Sequence, residues 1–205
     1  MLSAAAAHAV LATSYSVKTP LRILFLFPLG FAMGQAAAKD HEETVFLFQN
    51  RKVTFAVPEG LGFNSSKDER GIITVRLGHP KDKVSLQVSF LPDAEGRFAT
   101  ARGRKEFMAD TFRDYVAGSV EKAMQFEELE PKVGGGTYCV FTDADLISKS
   151  KLPPGEFLQS TTGVKAWPGV IAVFTLFSND TKSKEYQSVL TMLRESVEEK
   201  AGPLR

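Results

Sequence analysis

The stretch VIAVFTLF, residues 170–177, decides the fold. Apart from Thr175 its side chains are apolar on whichever face they lie. Successive residues of a strand point to opposite faces, so a strand like this must be covered on both sides. It belongs in the middle of a sheet.

Working outward, residues 137–143 and 156–162 read as two more strands, bracketing the loop SKSKLPPG at 148–155. Residues 165–169, KAWPG, read as a turn that carries Trp167 toward the central strand. Upstream, residues 45–48 and 52–57 form two short strands around a turn at Gln49, Asn50 and Arg51. Val53, Phe55 and Val57 alternate there with Lys52, Thr54 and Ala56, the period of a half-buried strand. Residues 71–77 alternate again. In 84–91, Val84, Leu86, Val88 and Phe90 face one way, and Ser85, Gln87 and Ser89 the other. The link GHPKD, 78–82, is turn chemistry. Four strands in a row predict an antiparallel meander.

Two segments have helical period. Over residues 101–117, Phe107, Met108, Phe112, Tyr115 and Val116 share one side, with Arg102, Arg104, Lys105, Asp110, Arg113 and Asp114 elsewhere. After the central strand, Asn179, Asp180, Thr181 and Ser183 offer N-caps. Tyr186, Val189, Leu190, Leu193 and Val197 then make the apolar stripe of a closing helix, with Gly202-Pro203 after it. The expectation is an α+β fold, a central antiparallel sheet of about six to seven strands packed by two main helices. A single domain over 39–205 accommodates it.

Composition agrees with a packed globule: 43% hydrophobic and 24% charged residues, with sixteen Phe against four Tyr and one Trp. Phe needs no hydrogen-bond partner when buried, so the core should be Phe-rich. The chain carries 25 basic and 24 acidic residues, and without Lys18 and Arg22 the part from Lys39 onward has 23 basic against 24 acidic. A near-neutral domain has no field to gather phosphates, which argues against nucleic acid as a partner. Cys139 is the sole cysteine, so no intramolecular disulfide can form; in GTYCVF, 136–141, it reads as a small buried hydrophobe.

Residues 1–38 read as a signal peptide. The apolar run ILFLFPLGFAMG, 23–34, follows Lys18 and Arg22, and Ala36-Ala37-Ala38 precedes the charged KDHEE of 39–43. The run is short for a membrane span, so no span is expected once the signal is removed. No Cys follows it, which excludes a lipid anchor at the cleavage site. A start at Val17 in place of Met1 would give a leader of conventional layout. The expected compartment is periplasmic or secreted.

The element order resembles the α/β/α sandwich of PsbP, the extrinsic photosystem protein, and of bacterial DcrB-type periplasmic proteins. VTFAVP, 53–58, and the late strand-then-helix carry that likeness. PGEF (154–157), TTG (161–163) and FTLFSND (174–180) look like a group of uncharacterised exported bacterial proteins. The first resemblance implies binding or assembly work, generally without catalysis, and transfers no functional residue.

No catalytic or metal-binding constellation emerges, and no cofactor is expected. Asp143 and Asp145, at i and i+2, would share a strand face and form the best carboxylate pair, but no EF-hand loop surrounds them. His41 and His79 lie outside any zincin spacing, and no G-x-S-x-G elbow is present. Gly134-Gly-Gly136 leads into Thr137-Tyr138 and a strand, not into a P-loop lysine and helix. Arg102, Arg104 and Lys105 read as a solvated helix face. For binding, Lys149 and Lys151 give the 148–155 loop a positive tip that Pro153-Pro154 stiffens, while Trp167 is either an anchor or a cap on the core. The leading reading is an exported, non-enzymatic domain that binds an envelope protein partner or serves envelope upkeep. The rivals are a small hydrolase or transferase around Asp143, Asp145 and His79, and a carrier of a small apolar ligand. Oligomeric state stays open.

Overall fold

The computed structural model describes residues 40–79 and 83–201. The expected signal peptide, the 80–82 part of the turn and Gly202-Pro203 lie outside the described residues. Chain order is β1 (His41–Phe46), β2 (Arg51–Val57), β3 (Gly62–Lys67), β4 (Ile73–Gly78), β5 (Val84–Pro92) and a 3₁₀ turn (Arg97–Ala99). Then follow α1 (Ala101–Thr111), α2 (Arg113–Gly118), β6 (Glu127–Glu128), β7 (Gly135–Thr142), β8 (Gln159–Trp167), β9 (Val170–Ser178), α3 (Lys184–Glu195) and β10 (Val197–Lys200).

The VIAVFTLF strand sits where its composition requires. The main sheet is antiparallel with order β3-β4-β5-β9-β8-β7-β6, so β9 is fourth of seven, and all nine of its residues are buried. Ala172, Phe174 and Leu176 point into one core with Phe55, Leu86, Val88 and Phe90, closed by Tyr186, Val189, Met192 and Leu193 of α3. Ile171 and Val173 point into a second core with Phe107, Met108 and Phe112 of the α1–α2 segment and with Cys139, Phe141 and Val164. Each large apolar side chain so buried contributes about 1.5–3 kcal/mol, which makes this strand the energetic centre of both layers.

The caps are chemical. Thr100 accepts the Gly103 N–H at 3.1 Å to start α1, and Ser183 accepts the Tyr186 N–H at 3.2 Å to start α3. Gln49 and Asn50 both have φ above +50°, the handed two-residue turn that fits a twisted hairpin.

The structure departs from the sequence reading in several places. The first two strands leave the meander. With β10 they build a separate three-stranded sheet, order β1-β2-β10, in which β2 is central and drives Val53, Phe55 and Val57 into the first core. β3 is an additional strand, since GFNSSK carries a single large apolar side chain and so shows no period. The long helix breaks at Phe112, whose φ of −106° and ψ of 19° end α1 before α2 restarts. Val197 is not on the α3 stripe: the helix stops at Glu195, and Val197 opens β10 with 42% of its surface exposed. β8 runs on through Trp167, so the turn before β9 is Pro168-Gly169 alone.

Candidate functional site

The loop from Asp143 to Leu158 joins β7 to β8 and is the segment that carries Lys149 and Lys151. It is built from its own hydrogen bonds. Asp143 N–H donates to Leu158 O at 2.9 Å and closes the base. Ile147 N–H donates to Asp143 O at 3.2 Å, Lys149 N–H to Leu146 O at 3.0 Å, and Glu156 N–H to Pro153 O at 3.1 Å. Lys149 Nζ lies 3.4 Å from Glu156 Oε2, tying one limb to the other. Leu146 is buried beneath, while residues 147–151 are exposed, Ile147 by 56%. The loop therefore presents one apolar side chain beside two lysines on a framework already folded.

Asp143 and Asp145 stand at the start of this loop and not on a strand face. Asp143 Oδ1 accepts the Asp145 N–H at 2.8 Å, an Asx turn that uses the carboxylate to shape backbone. His79 follows β4 at the same end of the sheet, but β4 and β7 are four strand positions apart, about 19 Å. The hydrolase reading needs these groups together, and the sheet holds them apart. His41 Nε2 lies 3.4 Å from Glu43 Oε1 in β1. No group of three or more His, Cys, Asp or Glu suited to a metal ion occurs among the described residues.

Trp167 sits at the opposite end of β8, about 27 Å away over nine residues. It is only 3% exposed and packs into the first core, and its Nε1 has no hydrogen-bond partner among the described residues. Beside it is a residue that the sequence reading assigned to a turn. Lys165 is 1% exposed, and its ammonium lies 4.7 Å from the Trp167 ring centroid. Lys165 Nζ donates to Leu193 O at 2.9 Å, Arg194 O at 2.8 Å and Ser196 O at 2.6 Å, with Ser196 Oγ at 3.1 Å. These are the orphan carbonyls of the α3 C-terminus, where the helix dipole is negative. Burial pushes the Lys165 ammonium down to about 7, with the nearby Glu195 charge opposing. The lysine is a bolt between β8 and the α3–β10 junction.

A second buried cation holds the other face. Arg104 was expected on a solvated helix surface; it is 5% exposed. Its Nε donates to Thr137 Oγ1 at 2.9 Å, Nη1 to Phe98 O and Ala99 O at 3.2 Å each, and Nη2 to Glu128 Oε2 at 3.2 Å. Lys105 Nζ adds a contact to Glu128 Oε1 at 3.3 Å. Burial alone would raise the Glu128 carboxyl, but hydrogen bonds from Lys105, Thr137 and Arg104 hold it below its ordinary value. The middle residue of the triple glycine is explained here: a Cβ on Gly135 would stand 2.4 Å from Arg104 Nη1, so the backbone must be bare for the guanidinium to lie on it.

Two signals mark these residues in the sequence. Arg104 falls three and four positions before Phe107 and Met108, on the apolar stripe itself. Lys165 is the one charge in TTGVKAW, residues 161–167. Both cations are fully engaged in joining elements, so their chemistry is structural. No protein-family model matches the chain, and no curated protein matches it either.

Proposed function

We propose that this chain is an exported domain of the periplasm or extracellular space that works by binding an envelope protein partner through the Asp143-to-Leu158 loop, without catalysing a reaction. The observation that carries the reading is the preformed loop with Ile147, Lys149 and Lys151 outward. Its internal hydrogen bonds and Pro153-Pro154 lower the entropy lost on docking. The partner surface it fits is acidic with an apolar centre.

Kinship with the PsbP and DcrB-type sandwiches is part of the proposal. The α1–α2 layer, the seven-stranded sheet and the opposite layer of α3 with the small sheet support it, and binding or envelope upkeep is the work such kinship implies. No helix among the described residues is long and apolar enough to cross a membrane.

A pull-down from envelope extract with the wild type and a Lys149→Ala, Lys151→Ala double variant tests the binding reading. The variant should lose partners while melting within about 0.5 kcal/mol of the wild type, because exposed lysines contribute little to stability. Identical partner sets remove the loop from the function.

A further inference from the structure

The edges of the two sheets are treated unequally. Beyond β6, the rim of β7 is covered: Ser119 bridges to Asp143, Val120 N–H donates to Thr142 O at 2.8 Å, and the Glu121 carboxylate accepts Thr142 N–H at 2.9 Å. β10 is four residues long and carries Glu198, Glu199 and Lys200, while β1 begins His41-Glu42-Glu43. Short, charged or covered edges resist pairing with other chains. β3 has fewer of these protections. It ends the seven-stranded sheet among the described residues, its Asn64, Ser65, Ser66 and Lys67 are exposed, and no charge or proline interrupts it before Lys67.

Its free backbone can be assigned. Asp68 N–H donates to Ile72 O at 2.9 Å, and His79 N–H donates to Val84 O at 3.1 Å. Ladder bonds alternate along antiparallel strands. With Ser66 opposite Thr74 and Val75 opposite Val88, both bonds give the same phase. Gly62, Asn64 and Ser66 turn their N–H and C=O groups toward β4, and Phe63, Ser65 and Lys67 turn theirs outward. Those three are spaced symmetrically about Ser65. In an antiparallel pair of two such strands centred there, Ser65 meets Ser65, Phe63 meets Lys67 and Gly62 meets Asp68. No like charges oppose, and the Lys67 stem has the Phe63 ring to lie on.

We propose that β3 is a homodimer interface, in which two copies of this chain pair antiparallel about a two-fold axis at Ser65 and join their seven-stranded sheets into one. The interface is isologous, as closed dimers require. Hydrogen-bonded pairs in an antiparallel ladder have Cα atoms about 5.5 Å apart, so the two Ser65 side chains are immediate neighbours.

Light scattering coupled to size exclusion tests this on the full chain. Wild type should run at twice the mass of its own monomer. Ser65→Lys and Ser65→Glu each place like charges on the axis and should run as monomers with melting curves close to wild type. An equimolar mixture of the two variants should regain the dimer mass, because an ammonium and a carboxylate then face each other across the axis. A monomeric wild type overturns the proposal and leaves the edge to an extended peptide of a different protein. Single variants that stay dimeric, or a mixture that stays monomeric, overturn the Ser65 axis.

Discussion

Lys165 is the residue at which composition and environment conflict most. Its removal in Lys165→Met leaves the carbonyls of Arg194 and Ser196 without that donor, while Leu193 O keeps the Ser196 hydroxyl at 2.8 Å; an unpaired buried acceptor costs about 1–3 kcal/mol. A loss of about 2–4 kcal/mol by chemical denaturation is expected from these acceptors together. The pH dependence has a definite sign. The folded ammonium titrates near 7 and the unfolded one near its ordinary 10.5, so the unfolded chain binds more protons between these values. The cost of burying the charge, present in full below 7, is relieved as pH rises toward 10.5. Wild-type stability relative to Lys165→Met should therefore increase from about pH 7 to about pH 9, and a flat difference would mean that the carbonyls keep the proton in place. Cys139 makes a simpler case: burial pushes its thiol up to about 12, and the Glu127 charge adds to this. Native labelling by a thiol reagent should be slow and labelling in denaturant fast, because the thiolate is the nucleophile and the folded site disfavours it.

Among the elements, β9 should be the last to open. It has strands on both sides and a core on each face, so its amide hydrogens should exchange only at the free energy of global unfolding. β10, a single-sided edge, should exchange much earlier, and hydrogen-exchange mass spectrometry resolves the difference. The β8–β9 contact has one position that admits no side chain. A Cβ on Gly163 would lie 2.4 Å from Phe174 Cζ and 2.7 Å from Tyr138 Cβ. Gly163→Ala should destabilise by about 1–3 kcal/mol, the range for overpacking a tight core. Period-2 alternation disclosed β2, β4 and β5, and an apolar stripe disclosed α1 and α3, because each of these buries one face. β3 and β10 bury almost nothing, so they left no periodic trace.

At the scale of the whole molecule, the two proposed interfaces use different parts of the fold, the β7–β8 loop at one end of the main sheet and β3 along its rim. The proposed export has a test of its own. N-terminal sequencing of protein recovered from the cell envelope should find Lys39, or a residue within one or two of it, as the first residue. A chain from membrane fractions that still carries Ile23 to Gly34 would make that run an anchor. Near-neutrality is consistent with short-range recognition and not with long-range steering.

The amino-acid order by itself determined that residues 170–177 are central, that a Phe-rich core lies on both sides of them, and that a helix with an N-cap among residues 179–183 follows. Each of these follows from burial pattern or capping within a dozen residues. Only the tertiary structure decided that the first hairpin joins β10 in a second sheet, that Lys165 is buried and that Arg104 is latched to Thr137 and Glu128. Lys165 is stabilised by carbonyls 28 to 31 residues further along the chain, and Arg104 by a hydroxyl 33 residues on. A charge is tolerated in a core only when acceptors surround it, and such acceptors come from segments that local sequence cannot bring together.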